Sequence, residues 1–194
     1  MLRSALFATT AIVIALAAAD ARANGLFIGL GDLPGGSFNS QATAVSADGS
    51  VVVGAATSAA AIEAFRWTQA TGMVVLGDLP GGSSASQAKG VSADGLVVVG
   101  FGASALGPEA FRWTQAGGMV GLGDLPDGFF NSEAHAVSAD GSVVVGWGTT
   151  TSGHEAFIWD ESNGMRNLQE VLAAEDGLGD ALVDWILRVC PGRS

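Results

Sequence analysis

Apolar and polar positions recur along this chain at a fixed step of 46 residues, three times, with no insertion between copies. Each copy holds four short runs of β-branched or aromatic residues set between turn residues, the pattern of short β-strands. In the first copy the runs are 42–46 (ATAVS), 51–54 (VVVG), 63–67 (EAFRW) and 73–76 (MVVL). The VVV run does not alternate, so its strand should be covered on both faces. Ser46-Ala47-Asp48-Gly49 suits a type I turn closed by a left-handed glycine, which makes a tight hairpin. Leu79-Pro80-Gly81-Gly82 suits a type II turn with Gly81 left-handed; the third copy, Pro126-Asp127-Gly128, reads as a different turn with the same exit. The longest and most variable loop is expected over 55–62. Val45, Val51, Val53, Phe65, Trp67, Val75 and Leu79, with their equivalents, form the expected core.

Four short antiparallel strands per 40–50 residues point to an all-β repeat array of about three four-stranded units, β-propeller-like. A β-solenoid or open β-array is the alternative. Strands of four or five residues fall short of the roughly nine to eleven that a transmembrane barrel needs.

The ends set the frame. Residues 1–23 read as a secretory signal: Arg3, an apolar run over 6–19, and Ala21-Arg22-Ala23 as the cleavage site. The array runs over 24–166. A short helix and tail follow over 167–194, with Asn167 as N-cap and Glu170 completing a capping box. The segment 25–30 aligns with a fourth strand, while the last copy offers three strands ending at Trp159. This predicts that the N-terminal strand completes the last unit. Three units fall below the four to eight of a usual ring, so the chain is expected to be an open fragment, to pair with a second copy that completes the ring, or to be a shortened member of a longer family. The tail reads either as a native end or as a shortened unit.

Composition narrows the partners. Without 1–23 the chain carries 6 basic and 18 acidic residues, a balance that argues against nucleic acid and anionic membranes. Cys190 is the sole cysteine, so no internal disulfide is expected.

The strings LGDLPGG, SQATAVSADGSVVVG and EAFRWTQATGM resemble the HAF-repeat family, known for exported repeats. The resemblance spans roughly 24–172 and implies an extracellular, cell-surface or periplasmic protein, with no catalytic residues to carry over.

The candidate chemistry is sparse. Asp32, Asp78 and Asp124, with Asp48, Asp94 and Asp140, recur identically. Calcium, which takes several oxygen ligands, competes there with aspartates that hydrogen-bond their own turns. The turn reading is preferred, and no cofactor is expected. S-A-D-G is similar to the aspartate turn of sialidase-type propellers, but its spacing departs from that motif. Glu63, Glu109 and Glu155 recur beside Arg66 and Arg112, which suggests Glu–Arg contacts between units. His135 and His154 have no metal-spaced partners and read as surface residues. No nucleophile elbow, phosphate loop or zinc motif appears.

Repeat arrays bind through the columns where copies differ. Those columns are the 36–39 turn, 43/89/135, 55/101/147 and the 57–62 loop. Candidate ligand-facing residues are Phe38, Phe101, Phe130, Trp147, Lys89 and His135, offered to glycans or proteins. The expected function is non-enzymatic recognition or adhesion outside the cell. The alternatives are a carbohydrate-active propeller enzyme, using a non-repeated carboxylate such as Asp127 or Glu133, and a shortened repeat protein without independent function.

Overall fold

A computed structural model describes residues 28–175. The predicted signal and the tail beyond 175 lie outside them. Among the described residues, twelve strands fall into three four-stranded antiparallel sheets, each a simple meander. The first unit holds β1 (Ser40–Val45), β2 (Val51–Thr57), β3 (Ile62–Thr68) and β4 (Gly72–Val75). The second holds β5 (Ser86–Val91), β6 (Val97–Ala103), β7 (Pro108–Thr114) and β8 (Gly118–Gly121). The third holds β9 (Ser132–Val137), β10 (Val143–Thr150), β11 (Gly153–Asp160) and β12 (Gly164–Asn167), followed by α1 (Leu168–Glu175).

Three expectations change. The third unit is completed by its own β12, which pairs with β11 from Phe157↔Asn167 to Asp160↔Gly164. The exchange by 25–30 therefore has no edge to fill; Ile28–Leu30 carries no strand, and 25–27 lie outside the described residues. The 55–62 loop is instead mostly ladder, since β2 and β3 pair as far as Thr57↔Ile62. Backbone amides need no particular side chain to pair, so the strands run to seven or eight residues there. Asp127 takes φ 71, in the conformation of Gly35 (φ 84) and Gly81 (φ 80). The third copy thus keeps the same turn, with an aspartate in a left-handed site that costs most L-residues about 1 kcal/mol or more.

The hairpin turns form as expected. Gly49, Gly95 and Gly141 have positive φ, and each donates its N–H to the serine carbonyl three residues back. Asn167 caps α1, its Oδ1 accepting from Gln169 N at 2.9 Å.

The core lies between the units. Val51, Val53, Ala64 and Leu76 of the first unit pack with Leu79, Ala88, Val98 and Phe111. One period later, Val97, Val99, Ala110 and Leu122 pack with Leu125, Ala134, Val144 and Phe157. A smaller cluster of Leu33, Ala56 and Phe65 lies within the first unit; the rest of the core needs a neighbour, as repeat arrays do. The middle VVV run is covered on both faces, Val97, Val98 and Val99 being 6%, 0% and 0% exposed. The end units depart from the expected core: Val45 is 57% exposed and Val145 37%.

The hydrogen bonds that repeat between units run from donors of the earlier unit to acceptors of the later one. Ala47 N donates to Ala93 O, and Ala93 N to Ala139 O, each at 3.0 Å. Ala64 N donates to Ser86 Oγ and Ala110 N to Ser132 Oγ, again at 3.0 Å. Arg66 Nε reaches Gly95 O at 3.2 Å, and Arg112 reaches Gly141 O. The expected Glu–Arg pairing is replaced: the arginines bond carbonyls of the next unit's turn, while Glu109 Oε1 accepts from Gly123 N.

Candidate functional site

The first strand of every unit carries a β-bulge, and the bulged residue is the variable one. Register slips between Ala42 and Ala44, between Ala88 and Gly90, and opposite Val145/Gly146. Thr43, Lys89 and His135 are left without a cross-strand partner. A bulge bends its strand and re-aims the side chain it frees. It also swings the preceding carbonyl inward. A Cβ on Gly54, Gly100 or Gly146 would lie 1.9–2.0 Å from the carbonyl oxygen of Gln41, Gln87 or Glu133. Only glycine fits there, which explains the glycine closing each VVVG.

Beside the bulge lies the second variable column. Ala55, Phe101 and Trp147 pair directly with Gln41, Gln87 and Glu133, so the paired side chains share a face. In the second unit Lys89 Nζ sits 5.3 Å from the centroid of the Phe101 ring and 3.4 Å from Gln87 Oε1. In the third, His135 Nε2 lies 3.3 Å from Glu133 Oε2. Trp147 stacks on His154, ring centroids 3.9 Å apart and planes 6° from parallel. Between the first two units a groove of about 360 Å³ is lined by Ile62, Gln87, Phe101 and Pro108. Ile62 and Gln87 also line the adjoining hollow with Gln41 and Ala55.

Four of the six candidates, Phe101, Trp147, Lys89 and His135, thus join one side of the array. Phe38 and Phe130 do not; they lie in the loop before the first strand. Phe130 is half-buried because the second unit's hairpin covers it, and a Cβ on Gly107 would stand 2.6 Å from Phe130 O. Phe38 is 89% exposed, and so is Phe129, which sequence reasoning passed over. Gln87 and His154 were not named as ligand-facing residues, and Glu133 was named only for the enzyme alternative. Their signal was present: each stands in the same column as a differing residue in another copy.

The repeated aspartates serve their turns. Asp48 Oδ1 accepts from Ser46 Oγ at 2.7 Å, Ser50 N at 3.0 Å and Ser50 Oγ at 2.8 Å. Asp140 repeats this with Ser138 and Ser142. Hydrogen bonds to the ionised form hold both carboxyls at about 2, below the ordinary 3.8; the Ser50 amide leads for Asp48 and the Ser138 hydroxyl for Asp140. Asp94 is lowered too, by the Ser92 hydroxyl and then the Leu96 amide. Leu96 replaces the second serine, so one donor is missing there. In the GDLP turns, Asp124 accepts from Leu125 N, Asn131 N and Thr149 N at 2.7–3.1 Å. Asp78 differs: its Oδ1 is buried without a hydrogen-bond partner, and Ala85 N, the counterpart of Asn131 N, turns to Ser83 O instead.

A separate polar cleft of about 400 Å³ beside α1 holds Asp127, Glu155, Arg166, Asn167 and Glu170. Glu155 there accepts from Asn167 Nδ2, and Arg166 pairs with Asp160 at 2.8 Å. Glu133 is in the other site, so the two non-repeated carboxylates are not brought together. No cluster of three or more His, Cys, Asp or Glu suited to a metal occurs among the described residues. Among them, too, no helix is long and apolar enough to cross a membrane.

Stacked four-stranded meanders, each buried against the next, define a β-propeller-like repeat protein. The comparison with solved structures agrees on fold. The crystal structure of TolB from Acinetobacter baumannii is similar to this chain, with a TM-score of 0.50 and 18% identity over 67% of this chain and 32% of TolB. The chain therefore spans about a third of TolB's length. No family model matches the chain, and no curated protein matches it.

Proposed function

We propose that this is an exported, non-enzymatic β-repeat protein that recognises a glycan or a protein across the face built by the bulge column and its neighbours. One observation carries this reading. Residues that differ between copies meet there in aromatic–polar pairs, Lys89 with Phe101 and Trp147 with His154, while Asp48, Asp94 and Asp140 are occupied in turns. Half-buried aromatic rings flanked by Gln, Lys, His and Glu offer stacking and hydrogen bonding together, the combination sugars and peptide loops use. The signal-like 1–23 and the resemblance to HAF-repeat proteins support export. Titration of the folded chain on glycan and extracellular-protein arrays tests the reading. Binding should appear and fall at least tenfold in Phe101→Ala and Trp147→Ala, with far-UV circular dichroism unchanged. A folded sample that binds nothing, or binding indifferent to both substitutions, overturns it.

A further inference from the structure

The two ends of the array are the two halves of one interface. Inside the chain that interface is built twice, first unit to second and second to third. Each time the earlier unit offers the same parts: a turn N–H, a β3-type N–H, a valine and two small apolar residues. Each time the later unit receives them with a turn carbonyl, a serine hydroxyl, a turn glycine and an alanine. The third unit carries the offering parts unused, and the first carries the receiving parts unused.

The exposures of the polar and small parts follow this pairing, while Leu33 and Phe65, counterparts of Leu79 and Phe111, are buried within the first unit itself. Ser86 and Ser132 are 2% and 0% exposed, whereas Ser40, their counterpart, is exposed. Ala88 and Ala134 are fully buried and Ala42 is exposed. On the offering side Ala64 and Ala110 are fully buried and Ala156 is exposed; Val53 and Val99 are fully buried and Val145 is 37% exposed. The glycines match as well. A Cβ on Gly95 would lie 2.4 Å from Val51, and one on Gly141 2.5 Å from Val97; around Gly49 nothing lies within 4 Å. Gly107 is pressed against Phe130, while Gly153 stands open and Phe38 is 89% exposed.

We infer that these faces take each other, from a second copy of this chain. Ala139 N would donate to the partner copy's Ala47 carbonyl, and Ala156 N to its Ser40 hydroxyl. Val143 would seat on the turn glycine at 49, and Phe38 would lie under the hairpin at Gly153. The contact is heterologous, and two copies joined this way at both ends make a ring of six units, within the four to eight that propellers hold. The third unit departs from the template at Ile158, which replaces the arginine, so each copy-to-copy contact has one hydrogen-bonding side chain fewer. This inference goes beyond the recognition reading and does not depend on it.

Light scattering of the full chain during size exclusion tests it. The expected mass is twice that of the 19.4 kDa chain, with no larger species. Ala42→Arg and Ala156→Arg each alter one exposed end, and each alone should give a folded monomer with unchanged far-UV circular dichroism. Mixed together, they retain one intact pair of faces and should recover a one-to-one heterodimer. A monomeric wild-type chain at about 100 µM overturns the inference, since dimers of ordinary strength persist there. So does a ladder of growing oligomers, and so does a dimer that survives either substitution.

Discussion

The seating of a valine on a turn glycine can be tested by making one substitution at three equivalent places. Gly49, Gly95 and Gly141 occupy the same hairpin turn with φ of 74, 72 and 76. Alanine in a left-handed site costs about 1–2 kcal/mol, offset by about 0.4–1 kcal/mol because alanine restricts the unfolded chain. Gly49→Ala should therefore cost about 1 kcal/mol. At Gly95 and Gly141 the new methyl would also lie 2.4 and 2.5 Å from Val51 and Val97 of the preceding unit. Overpacking of that kind adds about 1–3 kcal/mol, so Gly95→Ala and Gly141→Ala should each cost about 3 kcal/mol. With a urea m-value of about 2 kcal/mol/M, the gap of about 2 kcal/mol shifts the midpoint by about 1 M. Tryptophan fluorescence reads the transition, since Trp67, Trp113 and Trp159 place a reporter in every unit and Trp147 adds a second in the third. Dilute samples, below the concentration of any dimer, keep Gly49 open. Equal losses at all three positions, with equal m-values, would refute the view that units are joined through this contact.

Asp124→Ala removes the acceptor of three backbone amides and should cost about 2 kcal/mol or more; Asp78→Ala, at a carboxylate with a buried unpartnered oxygen, should cost clearly less in the same urea assay. Carbon-detected NMR titration should find Asp48 and Asp140 near 2. Because their folded pKa is depressed, the contribution of these turns is complete above the ordinary 3.8 and is lost as pH falls from there through about 2. Leu96→Ser should supply Asp94 with the missing hydroxyl and lower its pKa further; an unchanged titration would show that the serines do not set it.

The period, the hairpin turns and the all-β class were legible because they rest on local chemistry: a left-handed glycine or a proline announces itself. Asp127 misled because an aspartate does not advertise positive φ, although Asp and Asn are the non-glycine residues that tolerate it best. β12 was missed because GMRN lacks β-branched residues, and a ladder can form from amides alone. The bulge was invisible for a related reason. It is a relation between a carbonyl on one strand and a glycine on the next, with no residue type of its own. The unlike exposure of identical residues, Ser40 against Ser86, could not be read from a repeat either, since it depends on which unit has a neighbour. At the site, Phe101, Trp147, Lys89 and His135, singled out by their disagreement between copies, fall on one side of the array, whereas Phe38, singled out the same way, falls in the loop before β1, because a difference between copies does not say which part of the unit a residue occupies.

The bulge gives each unit one position that neither the ladder nor the core constrains. Its backbone is held by the glycine opposite, so the residue standing there is free to change without a shift of register. Thr43, Lys89 and His135 are in that sense interchangeable cartridges in a common holder. Exchanging Lys89 and His135 should move chemistry around the array while leaving the scaffold as it is, whereas exchanging Thr43 also gives up the hydrogen bond its hydroxyl donates to Ala88 O of the next unit. A chain that duplicates such a unit acquires a new position to vary with every copy, and diversification of its surface proceeds separately from the upkeep of its fold.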